Sequence, residues 1–231
     1  MKRAIHNSIA LTLVMGVVLT IVGLLFNDPI LKAIGVPSEV FSEASTYLSI
    51  YFWSLIFVMV YNMGSGILRS VGDSKRPLYF LIFSSVVNII LDFLFVKYFH
   101  FGVAGAGYAT LIAQAISAIM VMYVLMKTED DYKVVLKEIG FDKEILLKII
   151  KIGLPTGFQQ SIVSLSNVIV QSYINVYGAS VIAGYSVTIK IDGFVNLPLQ
   201  AFNMSITTFV GQNIGAKQYD RVKKELILQQ H

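Results

Sequence analysis

The residues best placed to do chemistry are Asn88 and Asp92, which interrupt the otherwise apolar run Leu78–Val96, LYFLIFSSVVNIILDFLFV. A carboxylate in hydrocarbon costs about 3 kcal/mol or more, so it needs a partner, a proton or a cation. Four positions apart, the two side chains share one helix face, one turn above the other. Together they offer oxygen ligands to a small cation, or a seat for a proton. Asp92 and Asn88 lie about 6 and 12 Å inside Val96 at 1.5 Å per residue, and Thr110 lies about 10 Å inside Val103 on the next apolar run. The connection between these runs is short, so the helices are antiparallel neighbours and the three polar groups fall at one depth. Gly102, Ala104, Gly105, Ala106, Gly107 and Ala109 precede Thr110 and give the backbones room to approach closely. In the alternative reading, Asn88 and Thr110 hydrogen-bond between helices while Asp92 is protonated. Such contacts contribute only about 0.6 kcal/mol and do not call for an ionisable group, which favours the cation or proton seat.

The elements that must position these residues are membrane helices. The 231-residue chain has 55% hydrophobic and 14% charged residues, and its mean hydropathy is +0.70. Soluble domains carry about 25% charged residues, so the composition predicts an all-α polytopic membrane protein. Six transmembrane helices are expected, at Ser8–Phe26, Thr46–Leu68, Leu78–Val96, Val103–Met126, Ile152–Val176 and Val181–Val210. The first follows a basic start that imitates a signal peptide, but its apolar run is too long and no small-x-small site follows. It reads as a retained span. Pro198 in the long sixth run predicts a tilt or kink.

Lysine and arginine fall on alternate sides of these spans. Lys2 and Arg3, then Arg69, Lys75 and Arg76, six lysines from Lys127 to Lys151, and Lys217, Arg221, Lys223 and Lys224 make fifteen on one side; Lys32 and Lys97 stand on the other. The excess marks the cytoplasmic side, so both termini are expected there and the protein in the cell membrane. The net charge of +4 therefore serves orientation, and no nucleic-acid partner is expected. The external loop NDPILKAIGVPSEVFSE is expected to lie along the interface, with Tyr47, Tyr51 and Trp53 as interfacial anchors. Residues 1–127 are read as a four-helix domain and 128–151 as a cytoplasmic linker. Ile145, Leu146, Ile149 and Ile150 give that linker an amphipathic helix on the membrane face, with Asp142 as N-cap. Residues 152–231 supply two further helices and a cytoplasmic tail.

Catalysis finds little support. The absence of cysteine removes disulfides and cysteine-ligated metals. His6, His100 and His231 stand at span ends or the terminus without an HExxH pattern, so no zinc site is expected. Ser70-Val71-Gly72-Asp73 has serine where a GxGD intramembrane protease needs glycine, and there is no nucleotide-binding loop. The chain is not expected to be an enzyme or to hold a cofactor other than a coupling ion.

Three stretches in order carry a family resemblance. Gly66–Phe80, GILRSVGDSKRPLYF, followed by VVNIILDFLFV and GVAGAGYATLIAQ, resembles the fourth to sixth helices of multidrug and toxic compound extrusion (MATE) transporters. Gly153–Asn167, GLPTGFQQSIVSLSN, resembles the seventh helix, and Phe209–Val222, FVGQNIGAKQYDRV, the loop after the eighth. The resemblance covers nearly the whole chain. It implies two six-helix lobes around a central cavity and export driven by H⁺ or Na⁺ entry. It also implies a cation site at Asn88, Asp92 and Thr110, the trio already grouped by depth. On this resemblance the chain corresponds to helices three to eight of twelve, and its tail RVKKELILQQH echoes KRAIHNSIAL at the start, as parallel repeats do. The expected partners are the remaining helices, the lipid bilayer and small amphipathic or cationic drugs. The resemblance departs where some members carry a glutamate in the seventh helix and this chain offers Gln159, Gln160 and Asn167, which favours the first-lobe site. Asn62, Gln114, Gln159, Gln160 and Lys190 are candidate cavity residues. Two alternatives remain: a lipid-linked oligosaccharide flippase of related architecture, whose cavity would need arginines that here are all cytoplasmic, and a membrane scaffold, in which Asp92 would be replaceable.

Overall fold

A computed structural model describes residues 2–175 and 179–228. Most of the described residues are helical, and there is no strand among them. In order they form α1 (Lys2–Ala33), α2 (Ser38–Ser70), α3 (Lys75–Asp92), a π-helical turn (Phe93–Tyr98), α4 (Gly102–Lys127), a 3₁₀ turn (Leu136–Glu138), α5 (Lys143–Asn175), α6 (Ala179–Gly215) and α7 (Tyr219–Leu228). The chain divides into two compact units, residues 1–146 and 147–231.

In the first unit α2 packs between α1 and α4, and α4 in turn packs between α2 and α3. Lipid supplies no hydrophobic drive between helices, so these contacts rest on small residues and close backbones. Gly16 and Gly23 of α1 sit under Ile56 and Phe52 of α2, Gly64 of α2 sits under Val121 of α4, and Gly107 of α4 lies against Ile50. Hydrogen bonds add to this: Thr20 Oγ1 donates to the Phe52 carbonyl at 3.0 Å. Asn27 Nδ2 reaches the Ser45 carbonyl at 2.9 Å and Ser49 Oγ at 2.7 Å. A core of Ile5, Ile9, Ile67, Leu68, Phe80, Val121, Leu125 and Val134 closes the end of this unit where α1 and α3 begin and α2 and α4 finish.

By length and composition Lys2–Ala33, Ser38–Ser70, Lys75–Tyr98 and Gly102–Lys127 qualify as membrane spans among the described residues, and large apolar side chains cover their outward faces. The expected fifth and sixth spans fall on α5 and α6, which have 33 and 37 residues and are therefore long enough to cross. They stand apart from the first four because amides and hydroxyls, with Lys190 and Asp192, dilute their apolar character. Val176, the expected end of the fifth span, lies outside the described residues, as do the last three residues of the tail and with them His231.

Two expectations about connections are corrected. The segment read as an external loop along the interface is mostly helix: α1 runs through Pro29 to Ala33, α2 starts at Ser38, and Gly35 turns between them with φ of 74°. Pro29 removes only one backbone donor, while Asn27 and the buried Leu31 hold this end of α1 in place. The amphipathic stretch after Asp142 is not a separate surface helix either, because it runs without a break into α5. Asp142 does cap it, Oδ1 accepting from the N–H groups of Glu144 at 3.1 Å and Ile145 at 3.3 Å.

Candidate functional site

The site is built on α3. Phe80, Ser84, Asn88 and Asp92 recur every fourth residue and form a stripe withdrawn from the surface, while Ile82, Val86, Ile89 and Ile90 are exposed. α4 is the principal neighbour of α3, which gives this stripe its partner. Asn88 and Asp92 are thus stacked one turn apart in a half-buried row, as their spacing requires. Asn88 Nδ2 and Asp92 Oδ1 are both shut off from solvent and have no hydrogen-bond partner among the described residues. A donor and an acceptor so placed, and not bonded to each other, are two unsatisfied polar atoms on an otherwise apolar stripe. An amide turned by 180° presents oxygen where nitrogen stood, so the pair can offer two oxygens.

Asp92 has a second property that its neighbours in sequence do not announce. It is the last residue of α3, and the backbone beyond it widens into the π turn, with the Phe99 N–H on the Leu94 carbonyl at 3.0 Å. Such turns are rare and recur at functional positions. Phe95 of this turn lies against Gly105 of α4: a Cβ at 105 would stand 3.0 Å from Phe95 Cβ and 3.2 Å from its carbonyl carbon. The small residues of α4 therefore serve two neighbours, Gly105 facing the π turn and Gly107 facing α2.

Thr110 is half-buried on α4, and Gln114 lies one turn beyond it with its carbonyl accepting from the buried Ser117 hydroxyl at 2.8 Å. Asn62 is exposed on α2. Gln159, Gln160 and Lys190 are exposed on α5 and α6 in the second unit. Packing thus unites Asn88 and Asp92 on one stripe and sets Thr110 and Gln114 on the adjoining helix. Trp53 stands apart from Tyr47 and Tyr51: it lines an open cleft of about 510 Å³ with Ser45, Thr46, Ser49 and Tyr108. Sequence reasoning also missed the buried His6 and Asn7. Their signal was a polar pair at the head of an apolar helix.

Long apolar helices joined through small residues, with an acid and an amide half-buried in one of them, define a polytopic α-helical membrane protein. The MatE family model matches residues 1–94 and 155–229, which include Asn88 and Asp92, while Thr110 and Gln114 fall between the two segments. The probable multidrug resistance protein YoeA of Bacillus subtilis is 32% identical over 97% of this chain and 50% of its own length. The multidrug export protein MepA of Staphylococcus aureus is 26% identical over 91% of this chain and 46% of its own. Among solved structures, the outward-facing form of a multidrug resistance MATE family transporter of the MOP superfamily matches with a TM-score of 0.87 and 26% identity, over 96% of this chain and 50% of that one. The chain belongs to the MatE family, a transporter family, and spans about half the length of the relatives it matches.

Proposed function

We propose that the chain is half of a cation-coupled multidrug exporter of the cell membrane, with Asn88, Asp92 and Thr110 as the seat of the coupling H⁺ or Na⁺. The observation that carries this reading is the unpartnered pair Asn88 Nδ2 and Asp92 Oδ1. A carboxylate within a membrane helix without a partner is stabilised by binding a proton or a cation. Hard cations such as Na⁺ favour oxygen ligands, and carboxylate, amide and hydroxyl supply them. Occupancy at Asp92 changes the packing of α3 on α4, and that change couples cation entry to drug release as the two lobes alternate in access. The substrates in this reading are small amphipathic drugs, commonly cationic, meeting Asn62, Gln114, Gln159, Gln160 and Lys190 along the cavity. Both termini of the chain are cytoplasmic, in keeping with the distribution of lysine and arginine.

The test is Asp92→Asn in the protein as the cell makes it. The substitution keeps the shape and removes the charge. Drug export is expected to fall to the background of cells without the transporter, while the amount of protein in the membrane fraction is unchanged. Export equal to the unaltered protein at equal abundance would overturn the reading.

A further inference from the structure

The segment 128–142, which leads into α5, is bound to the end of α4 and to the first turns of α1. The Val134 N–H donates to the Leu125 carbonyl at 2.8 Å, and the Val134 side chain is buried in the core of the first unit. The Val135 N–H donates to His6 Nε2 at 2.9 Å. With Nε2 accepting there, Nδ1 is the nitrogen that donates to the Lys2 carbonyl, at 2.8 Å. Asn7, fully buried, donates Nδ2 to the Asp142 carbonyl at 2.8 Å. Asp131 and Asp142 stand 3.9 and 4.0 Å from Lys2 and Arg3, and Glu138 stands 3.8 Å from His6 Nε2. Asp142 then caps α5. The carbonyl held by Asn7 and the carboxylate that starts the helix thus belong to one residue, which ties the first turn of α5 to α1.

We propose that this segment is a strap rather than a tether, and that the joint which lets the second unit move lies inside α5 around Gly153–Pro155. Pro155 has no N–H to give the Lys151 carbonyl, and its ring presses on that turn. A Cβ at Gly153 or Gly157 would meet no atom of the described residues within 4 Å, so neither glycine is a close-packing point like Gly64 or Gly105. The polar head of α1 supplies what a loop between mobile parts would lack: buried partners for its backbone. The joint's role in transport rests on the proposed function, but the strap does not.

The chain has no cysteine, so introduced pairs take spin labels cleanly. In the protein in lipid nanodiscs, labels at Lys75 and Lys137 are expected to give one narrow distance distribution. Labels at Glu144 and Gln160, on either side of Pro155, are expected to give a broad one that narrows with Pro155→Ala. Hydrogen exchange is expected to show Val134 and Val135 protected, and His6→Phe to speed their exchange roughly tenfold without changing α2 or α4. Asn7→Ala is the second variant, expected to loosen the strap at its Asp142 end. A broad Lys75–Lys137 distribution, or Val134 and Val135 exchanging like a free peptide in the unaltered protein, overturns the strap. A Glu144–Gln160 distribution that is narrow, or indifferent to Pro155→Ala, overturns the joint. No transport is measured, so these failures are separate from failure of the cation reading.

Discussion

Gly64 and Gly66 lie two residues apart on α2, and the same substitution is expected to leave the protein less stable at Gly64 than at Gly66. A Cβ at Gly64 would stand 2.8 Å from both Val121 methyl carbons and 3.3 Å from Leu125 Cδ1, whereas one at Gly66 would meet nothing within 4 Å. Carbon atoms in contact sit about 3.5–4.0 Å apart, so the overlap at Gly64 is about 0.7–1.2 Å. Val121 and Leu125 have no exposed surface into which to retreat, and a valine side chain is stiff about χ1. Replacing glycine by alanine inside a helix contributes about 1 kcal/mol of propensity at either position, so that contribution cancels between the two variants. What remains is overpacking, about 1–3 kcal/mol against Gly64→Ala. Gly66→Ala is therefore expected to be neutral to stabilising, and Gly64→Ala to be less stable than it by that margin. Equilibrium unfolding in bicelles measures both. Val121→Ala removes the two methyl groups in question, so the double variant Gly64→Ala/Val121→Ala is expected to be more stable than the single effects sum to, by about 1 kcal/mol. Equal stability of Gly64→Ala and Gly66→Ala, or strict additivity in the cycle, would refute a close α2–α4 contact at this level.

Two further substitutions probe other joints. Asn27→Leu removes the amide that binds Ser45 and Ser49 and is expected to lower stability by about 1–2 kcal/mol, read as a fall in the midpoint of thermal unfolding. Lys217 turns α6 into α7 with φ of 57°, a conformation in which any side chain is strained. Lys217→Gly is expected to stabilise that turn by up to about 1 kcal/mol, seen as slower hydrogen exchange at Gln218, whose N–H bonds to the Asn213 carbonyl at 2.8 Å.

The parts of the fold legible in the sequence were those governed by local rules. Apolar runs set the helices, the spacing of Asn88 and Asp92 set their common stripe, and Asp142 announced a cap that the backbone uses. What escaped depended on tertiary context. A proline ordinarily ends a helix, yet Pro29 is carried inside α1 because Asn27 and Leu31 are fastened on either side of it. Nothing in FLFVKYFHF distinguishes a π turn from an α turn, since the difference is a single shift of hydrogen-bond register, stabilised by Phe95 against Gly105. The linker read as a surface helix because its apolar spacing is amphipathic, but spacing alone cannot say where the next helix begins. His6 and Asn7 gave no motif because their partners are backbone groups of residues about 130 positions away.

The buried polar atoms of the first unit also argue about the site by contrast. Asn7 and Asn27 each leave an oxygen unpartnered, but their amide nitrogens are engaged on Asp142 and on Ser45 and Ser49, so both are explained by the helices they join. Ser65 leaves a neutral hydroxyl, a modest cost. Asn88 and Asp92 differ from these, because neither unpartnered atom is compensated by a bond to a neighbouring element and one of them belongs to an ionisable group. Were the pair only interhelical adhesive, the amide donor and the carboxylate acceptor one turn apart would satisfy each other or the facing helix. That they do neither is the observation on which the proposed proton or cation seat rests.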